Sequence, residues 1–357
     1  MIQEQSKTFN QEPVNLLTSN WHVPYLHLLA KVPNTIWWVL SFRHNMAGRD
    51  WNLSYRPLPP NVRHIVVDHP DAVKMLNLSH IQMVVLHSFS DLELFKDIPV
   101  RKVMVFHNSL HTEWRGMPQQ EQESRRSQLA QVCKELMIHP VFISPWKAQT
   151  WGFPGMVILP GIDTDTDFPG GYSGRTASLL RVCSNFAFRD FMNGKNLSDQ
   201  IVRGMPSAVL GEGNGEECQN TNMTPDGKSL TQVGITRSME QMKQAFRDHR
   251  TLIATNIPAY EDGWNLSILE AMAQGMPIVS SYHPRSPIVD GHNGFMSDQA
   301  DHLRGKCMEM LRDRDMCQEL GQKARETVQR EFPLHKFLSA WSYLIAIATQ
   351  QPEPAKT

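Results

Sequence analysis

Short apolar runs rich in β-branched residues alternate along the chain with longer segments of helical periodicity. Four such runs occupy residues 14–17, 35–40, 83–86 and 103–106, and a fifth lies at residues 179–182. Alternation of this kind is typical of parallel sheets whose strands are joined by helices. The pattern therefore predicts an α/β fold.

A stretch rich in Pro and Gly at residues 168–174 interrupts this alternation just before the fifth strand and predicts a hinge. The chain of 357 residues exceeds one typical domain and suits two of about 150–180 residues each. We predict domains at residues 1–172 and 173–332, a helix at 333–348 and a disordered tail at 349–357. Residues 212–226, which lack periodicity, are predicted to form an inserted loop.

Residues 262–280 read as a polar loop, a short helix and a strand. Asn265 is a good helix N-cap, Gly275 closes the helix, and Pro277 precedes the β-prone residues 278–280. One apolar stripe follows the helical spacing, formed by Leu266, Leu269 and Ala273. The segment is therefore predicted to carry a helix whose first turn faces a loop.

The first turn of this helix is a candidate anion site. Its amides, at Leu266, Ser267 and Ile268, have no partner within the helix, and the positive end of the helix dipole favours phosphate. Glu270, one turn in, can reach back to a hydroxylated group such as ribose, and Asp262 would meet the other side of the ligand. This arrangement suits a sugar nucleotide. Spacing alone leaves open a capped helix that merely packs on a sheet.

The same stretch resembles the donor-site signature of the family-4 retaining glycosyltransferases, in which Glu-Gly-Phe-Gly is followed by four residues and then Glu-Ala-Met-Ala-x-Gly-x-Pro. The matching positions are Asp262, Gly263, Trp264, Asn265 and Glu270. Residues 288–295 resemble the family's Val-Ile-Glu-Asp-Gly-x-Asn-Gly-Leu turn. The resemblance implies the GT-B fold, with two Rossmann-like domains whose parallel sheets face a cleft.

A weaker likeness extends upstream in the same order. Residues 157–163 resemble the segment that ends the family's first domain, and residues 208–213 resemble a strand end of its second. His107 follows an apolar strand, where ligands of α/β sheets usually lie, and resembles the family histidine beside the donor sugar. A structural histidine is the alternative. The resemblance also implies that the helix at residues 333–348 crosses back to the first domain.

The family places an Arg and a Lys after the first strand of its second domain. Lys195, in a Gly-Lys-Asn-Leu context, resembles the Lys, whereas the Arg position falls on Ser184 or Asn185. Arg189 is the predicted substitute. Such cations would stabilise charge on the leaving diphosphate without a metal ion. Each could instead be an ordinary solvated charge.

The resemblance also implies which residues contact the base of the nucleotide. The backbone at Gly234, Ile235 and Thr236 resembles the family's base-binding loop. Together with Gly263, Trp264, Asn265, Leu266, Ser267 and Glu270, these residues complete the predicted donor-binding set.

Two features depart from the family pattern. Its Gly-Gly loop after the first strand is replaced by residues 18–24, which contain no glycine, so that Asn20 or His22 must fill the space. Asp262 is one methylene shorter than the family Glu, and its neighbour Glu261 could compensate.

No metal-binding pattern emerges from the acids and histidines. Asp163, Asp165 and Asp167 alternate as in a calcium loop, but positions six and twelve are Phe168 and Gly174. The 15 histidines lack the spacing of a zinc site. We predict no metal and no cofactor, with a UDP- or GDP-sugar as substrate.

Composition restricts partners and compartment. A formal net charge of -1 provides no field that attracts nucleic acid or membrane lipid. The five cysteines lack disulfide spacing, which favours a reducing compartment. The polar N-terminus and the lack of any run of ~18 apolar residues indicate neither a signal peptide nor a spanning helix, so a cytoplasmic location is expected.

The sequence therefore predicts an enzyme that moves a sugar from a nucleotide-diphosphate donor to an unknown acceptor, with retention of configuration. Acceptors left open are a glycan, a lipid-linked molecule or a small molecule, and the oligomeric state is also open. Two alternatives remain: a non-catalytic relative that binds nucleotide sugar or serves as a partner subunit, and a nucleotide-sugar epimerase.

Overall fold

A computed structural model describes residues 12–43 and 51–350. Its strands are β1 (Val14–Ser19), β2 (Thr35–Phe42), β3 (Val62–Val67), β4 (Met83–Leu86), β5 (Arg101–Phe106), β6 (Ile138–Phe142), β7 (Met156–Val157), β8 (Thr176–Val182), β9 (Ser207–Leu210), β10 (Thr231–Gly234), β11 (His249–Ala254), β12 (Ile278–Ser281) and β13 (Gly294–Ser297).

The helices lie mostly between strands, as the alternating pattern predicts. They are α1 (Val23–Leu29), α2 (Phe89–Phe95), α3 (Leu110–Glu113), α4 (Gln119–Glu135), α5 (Pro145–Trp151), α6 (Asp190–Asn193), α7 (Lys195–Val202), α8 (Glu216–Gln219), α9 (Met239–Asp248), α10 (Leu266–Ala273), α11 (Ala300–Arg312), α12 (Arg314–Glu331) and α13 (Leu334–Gln350), with a 3-10 helix at Pro70–Met75. Within the described residues, no helix has the length and apolar character needed to cross a membrane.

The chain divides into two compact units. Unit 1 takes its described residues from 1–106, 129–141 and 338–357, and unit 2 consists of residues 107–128 and 142–337. These units do not follow the predicted boundary at residue 172, which stays a prediction. Residues 338–350 of α13 belong to unit 1.

Unit 1 is built on a parallel sheet with the order β3-β2-β1-β4-β5-β6. Val14 pairs with Thr35 and Leu16 with Met83, so β1 lies between β2 and β4. Many of its apolar side chains are buried, among them Leu16, Leu17 and Leu40, which are 0% exposed. Strands covered on both faces read as nearly continuous apolar runs, which is why they are recognisable in the sequence.

Unit 2 contains the second parallel sheet, with the order β10-β9-β8-β11-β12-β13. This order corresponds to 3-2-1-4-5-6, and β1 to β6 follow the same order. In the second sheet, the direction of the strand order reverses between β8 and β11, which are directly paired. Ligands of such sheets bind beyond the carboxyl ends of the two strands at the reversal. The loops after Val182 and Ala254 therefore mark the binding edge of unit 2.

The core of unit 2 holds α10 against this sheet. Leu269 and Ala273 of the predicted stripe are fully buried, and Ile268 packs with them beside β11 and β12. The predicted fold class is confirmed in its two parallel α/β sheets.

Two predicted segments are corrected. The predicted loop at residues 212–226 contains the one-turn helix α8 at Glu216–Gln219. Helix α13 runs from Leu334 to Gln350, so Thr349 and Gln350 of the predicted tail are helical. The hydroxyl of Thr349 donates to the carbonyl of Ile345 one turn earlier, at 2.8 Å, which satisfies this side chain within the continued helix. Residues 351–357 lie outside the described part of the chain.

Candidate functional site

The loop from β11 to α10 is the centre of the candidate site. Asn265 is the N-cap of α10 as predicted, because its side-chain oxygen accepts a hydrogen bond from the amide of Ile268 at 3.0 Å. The prediction of three free amides is therefore wrong for Ile268, whose N–H the cap occupies. Among the described residues, the amides of Leu266 and Ser267 donate to no group. These two N–H groups and the helix dipole remain for an anion.

Asp262 lies in a buried ion cluster with a lysine from α5. The ammonium of Lys147 is 2.7 Å from Oε1 of Glu261 and 3.1 Å from Oδ2 of Asp262. The side chains of Lys147 and Asp262 are 3% and 1% exposed, respectively. Burial lowers the pKa of Lys147, but the two carboxylates outweigh this effect and raise it above its usual value. The ammonium stays charged between the acids.

A second loop holds Glu261 from the other side. Nε2 of His283 donates to the carbonyl of Glu261 at 3.0 Å, and Nδ1 of His283 accepts from the amide of Arg285 at 3.2 Å. Burial lowers the pKa of His283 to about 4, so the ring is neutral near pH 7. Arg285 donates to the carbonyls of Pro258 and Glu261. These bonds join the loops into one structure.

Gly263 lies where the two loops come closest. A Cβ at this position would be 2.6 Å from both Nδ1 of His283 and the amide nitrogen of Ser286. No side chain larger than hydrogen fits without moving the backbone. The match between Gly263 and the family motif therefore has a packing cause in this chain.

Beside these loops lies a pocket of about 290 Å³, bounded partly by Trp146, Asp262, Trp264 and Arg285. Trp264 is buried, with its ring packed edge-on against Phe332 at 5.2 Å between centroids. The guanidinium carbon of Arg285 lies 3.9 Å from the ring centroid of Trp146. Two acidic residues line this pocket, Glu331 and Asp262, the second of which is buried against Lys147.

Lys195 starts α7 at the binding edge of the second sheet. The preceding Gly194 has φ +60°, and a Cβ there would be 2.3 Å from the carbonyl oxygen of Thr255. This close approach fixes the start of α7 beside the end of β11. The ammonium of Lys195 is 2.6 Å from Asp199, whose other oxygen is 2.5 Å from the guanidinium of Arg181. The cluster carries two cations and one carboxylate.

Arg189 precedes α6 in the loop after β8. Its side chain is exposed, and among the described residues no carboxylate pairs with it. It is close enough to oppose the burial that raises the pKa of the Cys183 thiol to about 11. Arg189 is therefore available to an anion at this edge.

The other predicted residues occupy separate positions. Glu270 is buried on α10, and Gly234, Ile235 and Thr236 follow at the carboxyl end of β10, two strands from β8. His107 comes directly after β5 and is half-buried. Unit 2 thus brings the loop at residues 262–267, Glu270, Lys195 and Arg189 to the elements around its strand reversal. Their roles stay predictions.

Three residues of this region are not among the predicted site residues: Trp146, Lys147 and Arg285. A local signal existed for Lys147, because Ser144 caps α5 and Lys147 lies in its first turn, where a cation opposes the helix dipole. Nothing in the pattern around Arg285 indicates its contact with Trp146. Within residues 12–43 and 51–350, no group of His, Cys, Asp and Glu side chains has the geometry of a metal site.

Two parallel sheets with the 3-2-1-4-5-6 order are the framework of the GT-B class. Residues 200–313, which include α10, match the family described as Glycosyl transferases group 1. The chain is also 29% identical over 82 residues to trehalose synthase from Pyrococcus horikoshii, an alignment that covers 22% of this chain. The match spans 20% of the length of that relative.

Solved structures show the same fold. HepE from Anabaena, solved in complex with UDP-glucose, has a TM-score of 0.67 and 11% identity, with 93% of this chain and 99% of HepE covered. TarM from S. aureus has a TM-score of 0.57 and 14% identity, with 77% of this chain and 57% of TarM covered. The GT-B fold and the resemblance to its glycosyltransferases are confirmed.

Proposed function

We propose that this protein transfers a sugar from a nucleotide-diphosphate donor to an acceptor, with retention of configuration and without a metal ion. The observation that carries the proposal is the N-terminus of α10 at the strand reversal of unit 2, where the amides of Leu266 and Ser267 have no acceptor among the described residues. The match of residues 200–313 to group 1 glycosyl transferases supports it.

The diphosphate is assigned to these two amides, with positive charge from Lys195 and Arg189. The Arg181–Asp199–Lys195 cluster has one carboxylate for two cations, so a bound anion would balance its charge. Preorganised cations at a leaving diphosphate stabilise the charge that develops as the glycosidic bond breaks. This role requires no metal.

The other parts of the donor are assigned to the residues that the sequence predicts for them. Glu270 is assigned to the ribose, Gly234 to Thr236 to the base, and Asp262 to the hydroxyls of the transferred sugar. His107 is assigned to the same sugar. We identify no protein nucleophile, so the chain's contribution is positioning and electrostatic stabilisation.

Calorimetry with UDP, GDP and ADP, each with and without EDTA, tests the donor site. We expect at least one nucleotide to bind with an affinity that the chelator leaves unchanged. Absence of binding to all three would refute the phosphate site, and binding abolished by EDTA would refute its metal independence. The anomeric configuration of the product, read by NMR, tests retention.

The two acids are distinguished by substitution. Glu270→Gln should weaken nucleoside diphosphate binding by about tenfold, the effect of a lost hydrogen bond to a charged group. Asp262→Asn should leave that affinity unchanged and impair the use of the intact sugar donor. Equal losses of nucleoside diphosphate affinity in the two variants would contradict these assignments.

A non-catalytic nucleotide-sugar-binding protein or partner subunit is a second candidate. It is favoured by one observation: the carboxylate of Asp262 is almost fully buried in its ion pair with Lys147. Donor and candidate acceptors incubated with the protein distinguish these functions, because only a transferase forms a new glycoside. Conversion of donor without acceptor would instead identify an epimerase.

A further inference from the structure

Arg181 is a charged residue inside a buried strand of unit 2. It lies in β8 between Leu180 and Val182, and its side chain is 1% exposed. Burial lowers the pKa of Arg181 more than Asp199 raises it, but an arginine side chain keeps its proton in proteins. Because arginine is almost never fully buried unless it is paired, the partners of this guanidinium indicate what it does.

Polar side chains hold the guanidinium of Arg181 from two directions. Its Nη1 is 2.5 Å from Oδ1 of Asp199, and its Nη2 donates to Oγ1 of Thr231 on β10 at 3.2 Å. The same Thr231 oxygen is 2.8 Å from the hydroxyl oxygen of Ser207 and accepts from the side-chain amide of Asn222 at 3.2 Å. All of these side chains are buried. The guanidinium is therefore fixed just below the carboxyl end of β8.

Arg181 and Lys195 share one carboxylate. The ammonium of Lys195 is 2.6 Å from Oδ2 of Asp199, and Arg181 contacts the other oxygen of the same group. Among the described residues, no other carboxylate forms an ion pair with either cation. Two cations and one carboxylate leave the cluster with a net charge of +1. Without Arg181, Asp199 would neutralise Lys195.

We propose that Arg181 is a positioning residue of the donor site, which occupies Asp199 and so keeps the positive charge of Lys195 available to the diphosphate. This role rests on the proposed function, which places the leaving diphosphate at Lys195. With 1% of its side chain exposed, Arg181 acts through Asp199 and Lys195 and not by contact with the ligand. Asp199 then sets the position of the ammonium, and Arg181 sets the charge that an anion meets.

Calorimetry with UDP, GDP, ADP and inorganic pyrophosphate tests the role of Arg181 on the full chain. The cluster keeps one net positive charge in the wild type, in Arg181→Lys and in the double variant Arg181→Met/Asp199→Asn, whereas Arg181→Met has none. Arg181→Met should weaken each anion that the wild type binds by about tenfold, as expected for one charge at roughly 10 Å with an effective dielectric constant of about 20. The other two variants should bind within about threefold of the wild type.

A purely structural role of Arg181 predicts a different pattern. The double variant would then bind less well than Arg181→Met, because it has lost both buried groups. Arg175→Met is the matched control, since Arg175 directly precedes β8 and pairs with Asp248 at 2.8 Å but is 64% exposed. It should bind like the wild type. Urea unfolding of each variant checks that differences in affinity do not follow differences in stability.

Folding of the main variant is expected, because Asp199 and Lys195 still balance each other in Arg181→Met. Arg181→Gln removes the same charge, keeps an amide donor for Asp199 and should give the same tenfold loss, about the effect of one charge. It decides the question in the event that Arg181→Met does not fold.

The results separate this role from the proposed function. Wild-type affinity for these anions in Arg181→Met and Arg181→Gln would overturn the role of Arg181 and leave the donor site standing. A double variant that binds no better than Arg181→Met would overturn it as well. A wild type that binds none of the four anions would overturn both proposals. Binding that follows the charge of the cluster, in a protein that forms no glycoside, would support the role of Arg181 and count against sugar transfer.

Discussion

Replacement of Lys147 by Met is the sharpest test of the ion cluster beneath the candidate site. Met has a similar apolar stem and removes only the ammonium. Two carboxylates, of Glu261 and Asp262, would then remain with 13% and 1% side-chain exposure and without their shared cation. We expect a large loss of stability, because a buried charge that loses its partner cannot recover its hydration.

The magnitude follows from the two distances. At 2.7 and 3.1 Å, an effective dielectric constant of about 20 gives each pair an attraction on the order of 5–6 kcal/mol. Desolvation of the three groups offsets much of this attraction, and removal of one partner from a buried cluster typically costs about 3–5 kcal/mol. A domain with a total stability of about 5–15 kcal/mol would lose a large share of it.

Urea unfolding, followed by tryptophan fluorescence and by far-ultraviolet circular dichroism, measures the loss. Agreement of the two signals checks that one transition is being compared. Lys74→Met is the matched control, since its pair with Asp71 at 3.5 Å is exposed and should contribute nothing measurable. A double variant with Asp262→Asn should recover part of the loss, because one of the two carboxylates disappears; Arg285, 3.9 Å from Asp262, already compensates some of its charge.

The pH dependence supplies a further check. Because the pKa of Lys147 is raised in the folded protein, its stabilisation is fully present below the unfolded value of about 10.4 and is lost as the pH rises through the folded value. The difference in the free energy of unfolding between wild type and Lys147→Met should thus be equal at pH 7 and pH 9. A loss below about 1 kcal/mol at pH 7 would refute the reasoning, since it would match an exposed pair.

Three other substitutions probe the same loops. Gly263→Ala should lower the free energy of unfolding by about 1–3 kcal/mol, because its Cβ would overlap Ser286. Asn265→Ala should cost about 0.5–2 kcal/mol through loss of the α10 cap. Since burial lowers the pKa of His283 to about 4, the wild type should lose roughly 3 kcal/mol as the pH falls from 6.5 to 4. His283→Gln should remove that pH-dependent loss.

Matched measurements decide these three cases. Gly305→Ala on α11, where a Cβ meets no atom within 4 Å, should instead stabilise by up to about 1 kcal/mol. An equal gain in Gly263→Ala would show that the loops tolerate a side chain there. A cap substitution without effect would mean that the amide of Ile268 finds another acceptor. An identical pH profile in His283→Gln would assign the acid sensitivity to other groups.

Helices, caps and strands whose cause lies within a few residues of sequence could be predicted from the sequence. Asn265 was identified as a cap because the amide it satisfies lies three residues away, within the same turn. Residues 83–86 were identified as a strand because a parallel strand buried on both faces leaves a continuous apolar run. The one-turn helix α8 was missed because four residues in a polar, glycine-rich segment give no period to detect.

Of the candidate site, only the residues that lie within one continuous segment could be predicted from the sequence. Lys147 and Glu261 are 114 positions apart, and no spacing rule connects them. Arg285 reaches Trp146 from another loop, and that contact depends on how β12 and α5 are placed in space. The role of Gly263 was read from a family motif, whereas its cause in this chain is the backbone of Ser286.

The packing of Gly263 against Ser286 has a consequence for redesign. Any graft of the β11–α10 loop of a relative into this chain would replace one half of a matched pair of backbones. A graft of residues 255–265 alone would present foreign side chains to His283 and Ser286, and would replace the backbone carbonyl at position 261 to which His283 and Arg285 donate. The transferable module is residues 255–265 together with residues 282–287, exchanged in one step.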